Sequence, residues 1–182
     1  MKDIFTYGIT LMLICALAAA ALAFTYEKTQ KVIELNEARE KEKALKEILS
    51  SAKRFVKLEN NITPKDPLVN IQEVYIGYDD GEKVGSIWEV STKGYSSEIK
   101  LLVGVDKNNK ILEVRVMSQE ETPGLGAEVT KEGFLKQFLG KNEPNLEVKR
   151  NINPVTGATI SSRAVVRAIN EVLNHTNFEG GG

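Results

Sequence analysis

Residues 84–117 read VGSIWEVSTKGYSSEIKLLVGVDKNNKILEVRVM, and this stretch decides the fold. The segment 84–90 has the alternating pattern of a β-strand, with Trp88 on one face, and strands are also predicted over 98–105 and 111–117. Between the last two, residues 106–110 (DKNNK) have the composition of a hairpin turn. Strands that follow one another through such short connections predict an antiparallel sheet.

Further strands and helices are predicted on both sides of this stretch. A fourth strand is predicted over 71–76, before a turn at residues 79–81. Helices are predicted over 131–140 and 161–175, with a short strand over 146–149 between them. The inward-facing residues expected on these helices are Phe134, Leu135, Phe138, Ala164, Val165, Ala168, Ile169, Val172 and Leu173. The expected fold class is therefore α+β, an antiparallel sheet with packed helices.

The N-terminal part of the chain has a different character. Residues 4–26 contain no charged side chain, and about 20 apolar residues in a helix can cross the hydrocarbon layer of a membrane. A cleaved signal peptide is the alternative, since Lys2 precedes the run and residues 21–23 (ALA) resemble a cleavage site. The length of the run favours a retained single-span anchor. Ile14 is too bulky to precede a lipid-modified cysteine at Cys15.

Residues 27–57 lack glycine and proline and are rich in Glu, Lys and Ala, which favours a helix. Its apolar stripe is expected to comprise Ala44, Leu45, Ile48, Leu49, Ala52, Phe55 and Val56. The segment 58–68 contains two prolines and is interpreted as a loop. The predicted organisation is an anchor over 1–26, a helical stalk and linker over 27–69, a globular domain over 70–176 and a flexible tail over 177–182.

Composition excludes several classes of function. The formal net charge of -1 provides no overall basic field for nucleic acid. A single cysteine allows neither an intrachain disulfide nor a cysteine metal cage, and a single histidine leaves too few ligands for a transition metal. No nucleic-acid partner, no metal site and no catalytic acid–base constellation is expected. Any chemistry has to depend on oxygen groups, backbone amides or a bound cofactor.

Two loops contain the remaining sequence features that indicate a function. Residues 153–162 read NPVTGATISS and lead into the last predicted helix. Free amide groups at a helix N-terminus suit a phosphate, and Gly157 and Ala158 leave room beside the backbone. On spacing alone, a simpler interpretation is favoured, in which Ser161 or Ser162 caps the helix and residues 156–157 form an ordinary turn.

The second loop, residues 121–128, reads ETPGLGAE and follows the strand over 111–117. Two glycines and a proline so close together exceed what a hairpin needs, although a loop that redirects the chain from sheet to helix would also use them. A weaker third element is residues 94–96 (GYS), just before a strand.

Together these motifs resemble the FMN-binding domain family. Residues 156–159 (TGAT) with Ser161 are similar to its flavinylation motif, residues 121–126 to its second loop, and residues 94–95 to its third. With the preceding apolar run, the chain resembles the RnfG subunits of ion-translocating ferredoxin:NAD oxidoreductases (Rnf complexes) and, less closely, the NqrC subunits of sodium-pumping quinone reductases.

The resemblance implies a covalent FMN on Thr159, joined through a phosphoester that a magnesium-dependent flavin transferase forms. It implies an electron-transfer subunit that is not catalytic alone, with other subunits of a membrane redox complex, the transferase and membrane lipid as partners. The implied FMN-binding residues are Thr159, Thr156, Gly157, Ala158, Ser161, Glu121, Thr122, Pro123, Gly124, Leu125, Gly94 and Tyr95. Alternatives are a related quinone reductase, an extracellular reductase, or a flavin-free membrane-tethered assembly module.

Two features depart from this expectation. Basic residues after the apolar run would place the following domain in the cytoplasm by the positive-inside rule, whereas the resemblance implies the outer face of the cell membrane. Asn153 stands where the family motif has an aspartate. Asparagine can accept a hydrogen bond from the amide two residues on, so we expect it to form the same turn.

Overall fold

The computed structural model describes residues 2–58 and 62–179 of the 182-residue chain. Five strands form one sheet, with α-helices before and after it. In chain order the elements are α1 (Lys2–Ile48), β1 (Arg54–Lys57), β2 (Val69–Asp79), β3 (Glu82–Lys93), β4 (Glu98–Asp106), β5 (Ile111–Gln119), a 3₁₀ helix (Gly126–Thr130), α2 (Glu132–Leu135), a second 3₁₀ helix (Lys136–Phe138) and α3 (Thr159–Glu179).

The sheet has the order β1-β2-β3-β4-β5, and each neighbouring pair is antiparallel. The turn between β2 and β3 uses positive φ angles at Asp80 (45°) and Gly81 (93°), and the β4–β5 turn uses one at Asn109 (61°). Asp and Asn tolerate this region better than most residues, so the local sequence suits these turns. The predicted α+β fold with an antiparallel sheet is confirmed.

The chain divides into two compact units, one ending at Ala44 and the other starting at Leu45. The first unit is helical. It carries an exposed 18-residue window of mean hydropathy 2.2, which is long and apolar enough to cross a membrane. The second unit contains the sheet and α3. It therefore includes residues 45–57, which the sequence assigned to the stalk.

The predicted helix over 27–57 is wrong beyond Ile48. Residues 54–57 are instead the edge strand β1, paired with residues 75–78 of β2. The N–H of Lys53 donates to the carbonyl of Tyr78 at 2.9 Å and begins this pairing. Phe55 and Val56 fit a helical stripe by spacing, but β-branched and aromatic residues also suit a strand, and β2 supplies the hydrogen-bond partners.

The main core lies between one face of the sheet and α3. Trp88, Val103 and Leu101 of the sheet are fully buried in it. The face predicted for α3 is confirmed, since all six of its residues have an exposed fraction of 0%: Ala164, Val165, Ala168, Ile169, Val172 and Leu173. Of the residues predicted on the preceding helix, Phe134 and Phe138 are buried and Leu135 is partly buried. This packing fixes where α3 begins relative to the sheet.

The opposite face of the sheet carries a glycine notch, formed by Gly77, Gly85 and Gly104. A Cβ atom at Gly77 or Gly104 would overlap the side chains of Leu49 or Ile48, and one at Gly85 would lie 3.0 Å from Leu49 Cδ1. Leu49 and Ile48 are buried, with exposed fractions of 1% and 6%. The missing side chains therefore let the end of α1 lie directly against the backbone of the sheet.

Three further expectations differ in detail. The helix expected over 131–140 is the short α2 followed by a 3₁₀ turn. The strand expected over 146–149 is only an isolated bridge between Val148 and Ile152, because Lys149 adopts a φ of 73° and the chain turns back. Helix α3 continues to Glu179, beyond the expected residue 175. The rest of the expected tail, 180–182, lies outside the described residues.

Candidate functional site

The three loops singled out in the sequence meet at one end of the sheet. Residues 94–97 connect β3 to β4, residues 120–125 follow β5, and α3 begins at Thr159. They enclose a cavity of about 440 Å³ lined by Tyr95, Glu121, Thr122, Leu125, Gly126, Gly157, Ala158, Thr159, Ile160 and Ser161. Of the predicted site residues, Gly94, Pro123, Gly124 and Thr156 lie outside this lining.

The segment 122–125 is a type II turn. The N–H of Leu125 donates to the carbonyl of Thr122 at 3.1 Å, and Gly124 has a φ of 75°. Proline at the second position and glycine at the third are the residues that this turn prefers. A Cβ atom at Gly124 would meet nothing within 4 Å. Glycine is therefore required at this position by the backbone conformation, not by a close neighbour within the protein.

The segment 155–158 repeats the same turn in the other loop. The N–H of Ala158 donates to the carbonyl of Val155 at 3.0 Å, and Gly157 has a φ of 77°. Here the space is also restricted, because a Cβ at Gly157 would lie 2.9 Å from Leu125 Cδ2. The side chain of Leu125 therefore lies close to Gly157, so the two turns are neighbours in the site.

Neither serine caps α3, which corrects the simpler interpretation of this motif. The helix already begins at Thr159, so Ser161 and Ser162 lie within its first turn. The hydroxyl of Ser162 donates to the carbonyl of Ala158 at 2.9 Å and accepts from the N–H of Val155 at 3.0 Å. Ser162 therefore fastens the loop to the helix, while Ser161 points to a different partner.

That partner is Glu121, a carboxylate with an exposed fraction of only 4%. Its Oε1 accepts hydrogen bonds from the backbone N–H groups of Ser96 and Ser97, both at 2.9 Å. Its Oε2 accepts one from the hydroxyl of Ser161 at 2.6 Å. Glu121 thereby connects all three loops.

The protonation state of Glu121 follows from these contacts. Burial raises the pKa of the carboxyl, but the hydrogen bonds from Ser161 and from the amides of Ser97, Ser96 and Tyr95 lower it. The hydrogen bonds prevail, and the pKa lies below its ordinary value of 4.5. At neutral pH Glu121 is therefore an ionised carboxylate in the wall of the cavity.

Two glycines make room for this carboxylate. A Cβ at Gly94 would lie 2.5 Å from Oε1 of Glu121, and a Cβ at Gly126 would overlap Oε2 and lie 2.8 Å from the hydroxyl of Ser161. Both glycines are buried. Gly94, predicted as a cofactor-binding residue, lies against the Glu121 carboxylate, and its role toward a cofactor stays a prediction.

The rim of the cavity is apolar and exposed. Tyr95, Leu125 and Ile160 have exposed fractions of 69%, 46% and 52%. Large apolar side chains gathered around a cavity mouth are typical of sites for a flat apolar or aromatic ligand.

The two threonines of residues 156–159 occupy different positions. Thr159 is partly buried, lines the cavity and begins α3, where the helix has amide groups without an intrahelical partner. Thr156 is exposed and lies outside the cavity lining. Of the two, only Thr159 is among the residues that line the cavity.

The turn expected at Asn153 is wrong. The N–H of Val155, two residues on, donates to the Ser162 hydroxyl. Asn153 is held by its backbone instead: its N–H donates to Oε1 of Gln137 at 2.8 Å, and its carbonyl accepts from Nε2 of Gln137 at 3.1 Å. The position is fixed by a side chain 16 residues earlier, which a local motif could not reveal.

Several contributors to the site were missed from the sequence. Gly126 and Ile160 line the cavity, while Ser97 and Ser162 hold its loops together. Gly126 and Ile160 lie within the two loops identified in the sequence, but neither was among the predicted site residues. Among the described residues, no group of three or more His, Cys, Asp and Glu side chains is arranged to hold a metal ion.

Comparison with known proteins agrees with this geometry. Residues 94–174 match the FMN-binding domain family, and residues 1–48 match the RnfG N-terminal region. The chain is similar in structure to NqrC of Shewanella oneidensis, with a TM-score of 0.50 and 25% sequence identity over 71% of this chain and 73% of that one.

Full-length relatives are also similar. The G subunit of the ion-translocating oxidoreductase complex of Methanosarcina acetivorans is 34% identical, over 99% of this chain and 98% of its own length. The G subunit of the Na(+)-translocating ferredoxin:NAD(+) oxidoreductase complex of Acetobacterium woodii is 33% identical, over 93% and 89%. The chain therefore belongs to the RnfG family, the G subunits of ion-translocating oxidoreductase complexes.

Proposed function

We propose that this protein is a membrane-anchored electron-transfer subunit that carries FMN covalently on Thr159. In this proposal it works within an Rnf-like complex that moves electrons between ferredoxin and NAD. The observation that supports the proposal is the convergence of three separate loops on one cavity that Thr159 helps to line.

The residues of the cavity fit the parts of FMN. The start of α3 offers backbone amides and the positive end of the helix dipole beside Thr159, which suits a phosphate. Tyr95, Leu125 and Ile160 provide apolar surface for a flat ring. A volume of about 440 Å³ lies within the ordinary range for small-molecule sites.

Attachment requires a group transfer to Thr159. Thr159 Oγ1 would form a new P–O bond to the phosphorus of a flavin phosphoanhydride, and the anhydride P–O bond would break, releasing the other phosphate group. The hydroxyl proton passes to solvent or to a base of the transferase. No electrons are exchanged with the flavin, so the ring is unaltered by the attachment.

Bound FMN supplies the ability to accept electrons in pairs and to pass them on singly. The protein contributes position and environment. The apolar rim limits the access of water to the ring, while Glu121 and the backbone amides set the local electrostatic field. Such a carrier needs no catalytic acid or base.

Helix α1 provides the membrane attachment in this proposal. Its exposed apolar window has the length and composition of a membrane span. We propose a single span with the FMN domain on the outer face, next to the other subunits and membrane lipid. Covalent attachment would prevent the loss of the flavin from this side by diffusion.

The decisive experiment is an intact-mass measurement of the full chain co-expressed with a flavin transferase. We expect a mass increase of one FMN less one water, and a yellow-green fluorescent band on a denaturing gel. Expression without the transferase is the control. An unmodified mass in both preparations would refute covalent attachment and favour a flavin-free assembly module.

The orientation is tested separately with a cysteine at the exposed turn residue Asn108, in a Cys15→Ser background. An impermeant thiol reagent should label Asn108→Cys in intact cells. If labelling occurs only after the cells are broken open, the domain is cytoplasmic.

A further inference from the structure

We propose that Glu121 is a positioning residue whose buried carboxylate holds the three loops of the cavity in register and places a negative charge beside the flavin. This inference rests on the proposed function. It changes the role expected for Glu121, which was predicted to bind FMN directly.

The hydrogen bonds of Glu121 argue against a direct role. Oε1 already accepts from the N–H groups of Ser96 and Ser97, with the Ser97 hydroxyl at 3.4 Å. Oε2 accepts the short bond from Ser161. Its own protein therefore engages at least three of the roughly four acceptor positions of the carboxylate, which leaves about one for a ligand.

The same contacts span large separations in sequence. Ser97 precedes Glu121 by 24 residues, and Ser161 follows it by 40. Ser161 lies two positions after Thr159 in the same helical turn. A displacement of Ser161 would therefore displace the hydroxyl that receives the flavin.

The fit around the carboxylate is tight as well. Gly94 and Gly126 leave no room for a side chain next to its two oxygens. The Glu121 side chain is consequently restricted to one position, and the three loops pack around it. This is the arrangement of a buried polar network that is fully satisfied and therefore rigid.

The charge of Glu121 has no ionic partner in the described part of the chain, where none of the ion pairs involves it. It borders the cavity directly. A fixed negative charge opposes the arrival of an electron nearby, and it does so more strongly where water is excluded. The carboxylate should therefore hold the reduction potential of the flavin at a more negative value.

Two substitutions distinguish the positioning role of Glu121 from the effect of its charge. Glu121→Gln keeps the shape, can still accept from Ser96 and Ser97, and can donate to Ser161, but it has no charge. Glu121→Ala removes both the contacts and the charge. The neighbouring Glu120 is exposed, so Glu120→Gln and Glu120→Ala are matched controls.

The measurements are the rate of covalent flavin loading by intact mass, the thermal unfolding of the unloaded chain, and the midpoint potential of the loaded chain. Glu121→Ala should slow loading on the order of tenfold to a hundredfold at a temperature where the variant is folded, since small misplacements of a reacting group have effects of this size. Glu121→Gln should load at nearly the wild-type rate but show a less negative potential than Glu120→Gln.

Wild-type loading by Glu121→Ala, or equal potentials for Glu121→Gln and Glu120→Gln, would overturn the inference. If Glu121→Ala does not fold, Ser161→Ala is the test. This variant removes one hydrogen bond only and should slow loading severalfold, and an unchanged rate would again overturn the inference. A wild-type chain that takes up no flavin would instead refute the proposed function, and this inference with it.

Discussion

The hydroxyl of Ser161 lies 2.6 Å from Oε2 of Glu121, and this contact joins the first turn of α3 to the loop after β5. Both residues are almost fully buried, with exposed fractions of 1% and 4%. A hydrogen bond to an ionised group is stronger than one between neutral groups. The contact therefore contributes more to stability while Glu121 is charged than when it is neutral.

The first prediction concerns this dependence on pH. The folded-state pKa of Glu121 is depressed below its ordinary value of 4.5, so its stabilising contribution is present above that value and is lost as the pH falls through the folded pKa. The difference in unfolding free energy between wild type and Glu121→Gln should be largest at neutral pH and should shrink in acid. Denaturant unfolding over a pH series measures it. The exposed neighbour Glu120→Gln is the matched control, and a wild-type to Glu121→Gln difference that is independent of pH would contradict the prediction.

The second prediction separates the two threonines. Thr159→Ala should abolish covalent flavin, because it removes the hydroxyl of the one threonine of the pair that lines the cavity. Thr156→Ala should retain most of the attachment, since Thr156 is exposed and its turn is set by Gly157. In-gel fluorescence and intact mass report both. A fluorescent Thr159→Ala band would show that another residue is the acceptor.

The third prediction concerns the loop before α3. Asn153→Ala should leave flavin loading and stability close to wild type, because Asn153 is held by its backbone. Ser162→Ala should cost about 1–3 kcal/mol, because the N–H of Val155 loses its partner. Denaturant unfolding and loading by intact mass test the pair. If Asn153→Ala lost more stability than Ser162→Ala, the Asn153 side chain would have a structural role after all.

For Asn153→Asp, loading should also remain unchanged if only geometry matters at this position. A clear rise in the modified fraction would show that the transferase uses the negative charge found in the family motif.

The fourth prediction tests the glycine notch. Gly104→Ala should destabilise the domain by about 1–3 kcal/mol, the usual cost of overpacking, since its Cβ would overlap Ile48. Gly133→Ala is the control, because a Cβ there meets nothing within 4 Å. Thermal unfolding gives the comparison. Ile48→Ala should lower the stability less when it is added to Gly104→Ala than when it is made alone. If the losses of stability simply add, the contact between the two residues is not supported.

Much of the fold could be predicted from the sequence because it depends on local sequence patterns. The four strands from β2 to β5 are rich in apolar and β-branched residues, and the turns at Asp80 and Asn109 use residues that accept positive φ. Strand β1 was missed because Ala52, Phe55 and Val56 satisfy helical spacing as well. What decides between helix and strand there is the open edge of β2, which belongs to a different part of the chain.

Some features of the site could likewise be predicted from the sequence, and others could not. The two type II turns were visible in the sequence through Pro123, Gly124 and Gly157, whose residue types match the backbone they adopt. The roles of Glu121 and Ser162 were not visible. Glu121 bonds partners 24 and 40 residues away, and Ser162 replaces the Asn153 side chain as the partner of Val155. Such contacts depend on how the loops meet, which no local pattern specifies.

The glycine notch also determines where this protein can be shortened. A fragment that starts at residue 70, the boundary suggested by the sequence, would lose Ile48 and Leu49 from the notch and β1 from the edge of β2. It would expose an apolar groove and an unpaired strand edge together, a combination that promotes aggregation. A soluble form for crystallisation or electrochemistry should therefore keep the chain from Leu45 onward, and so retain the last turn of the membrane helix as part of the flavin domain.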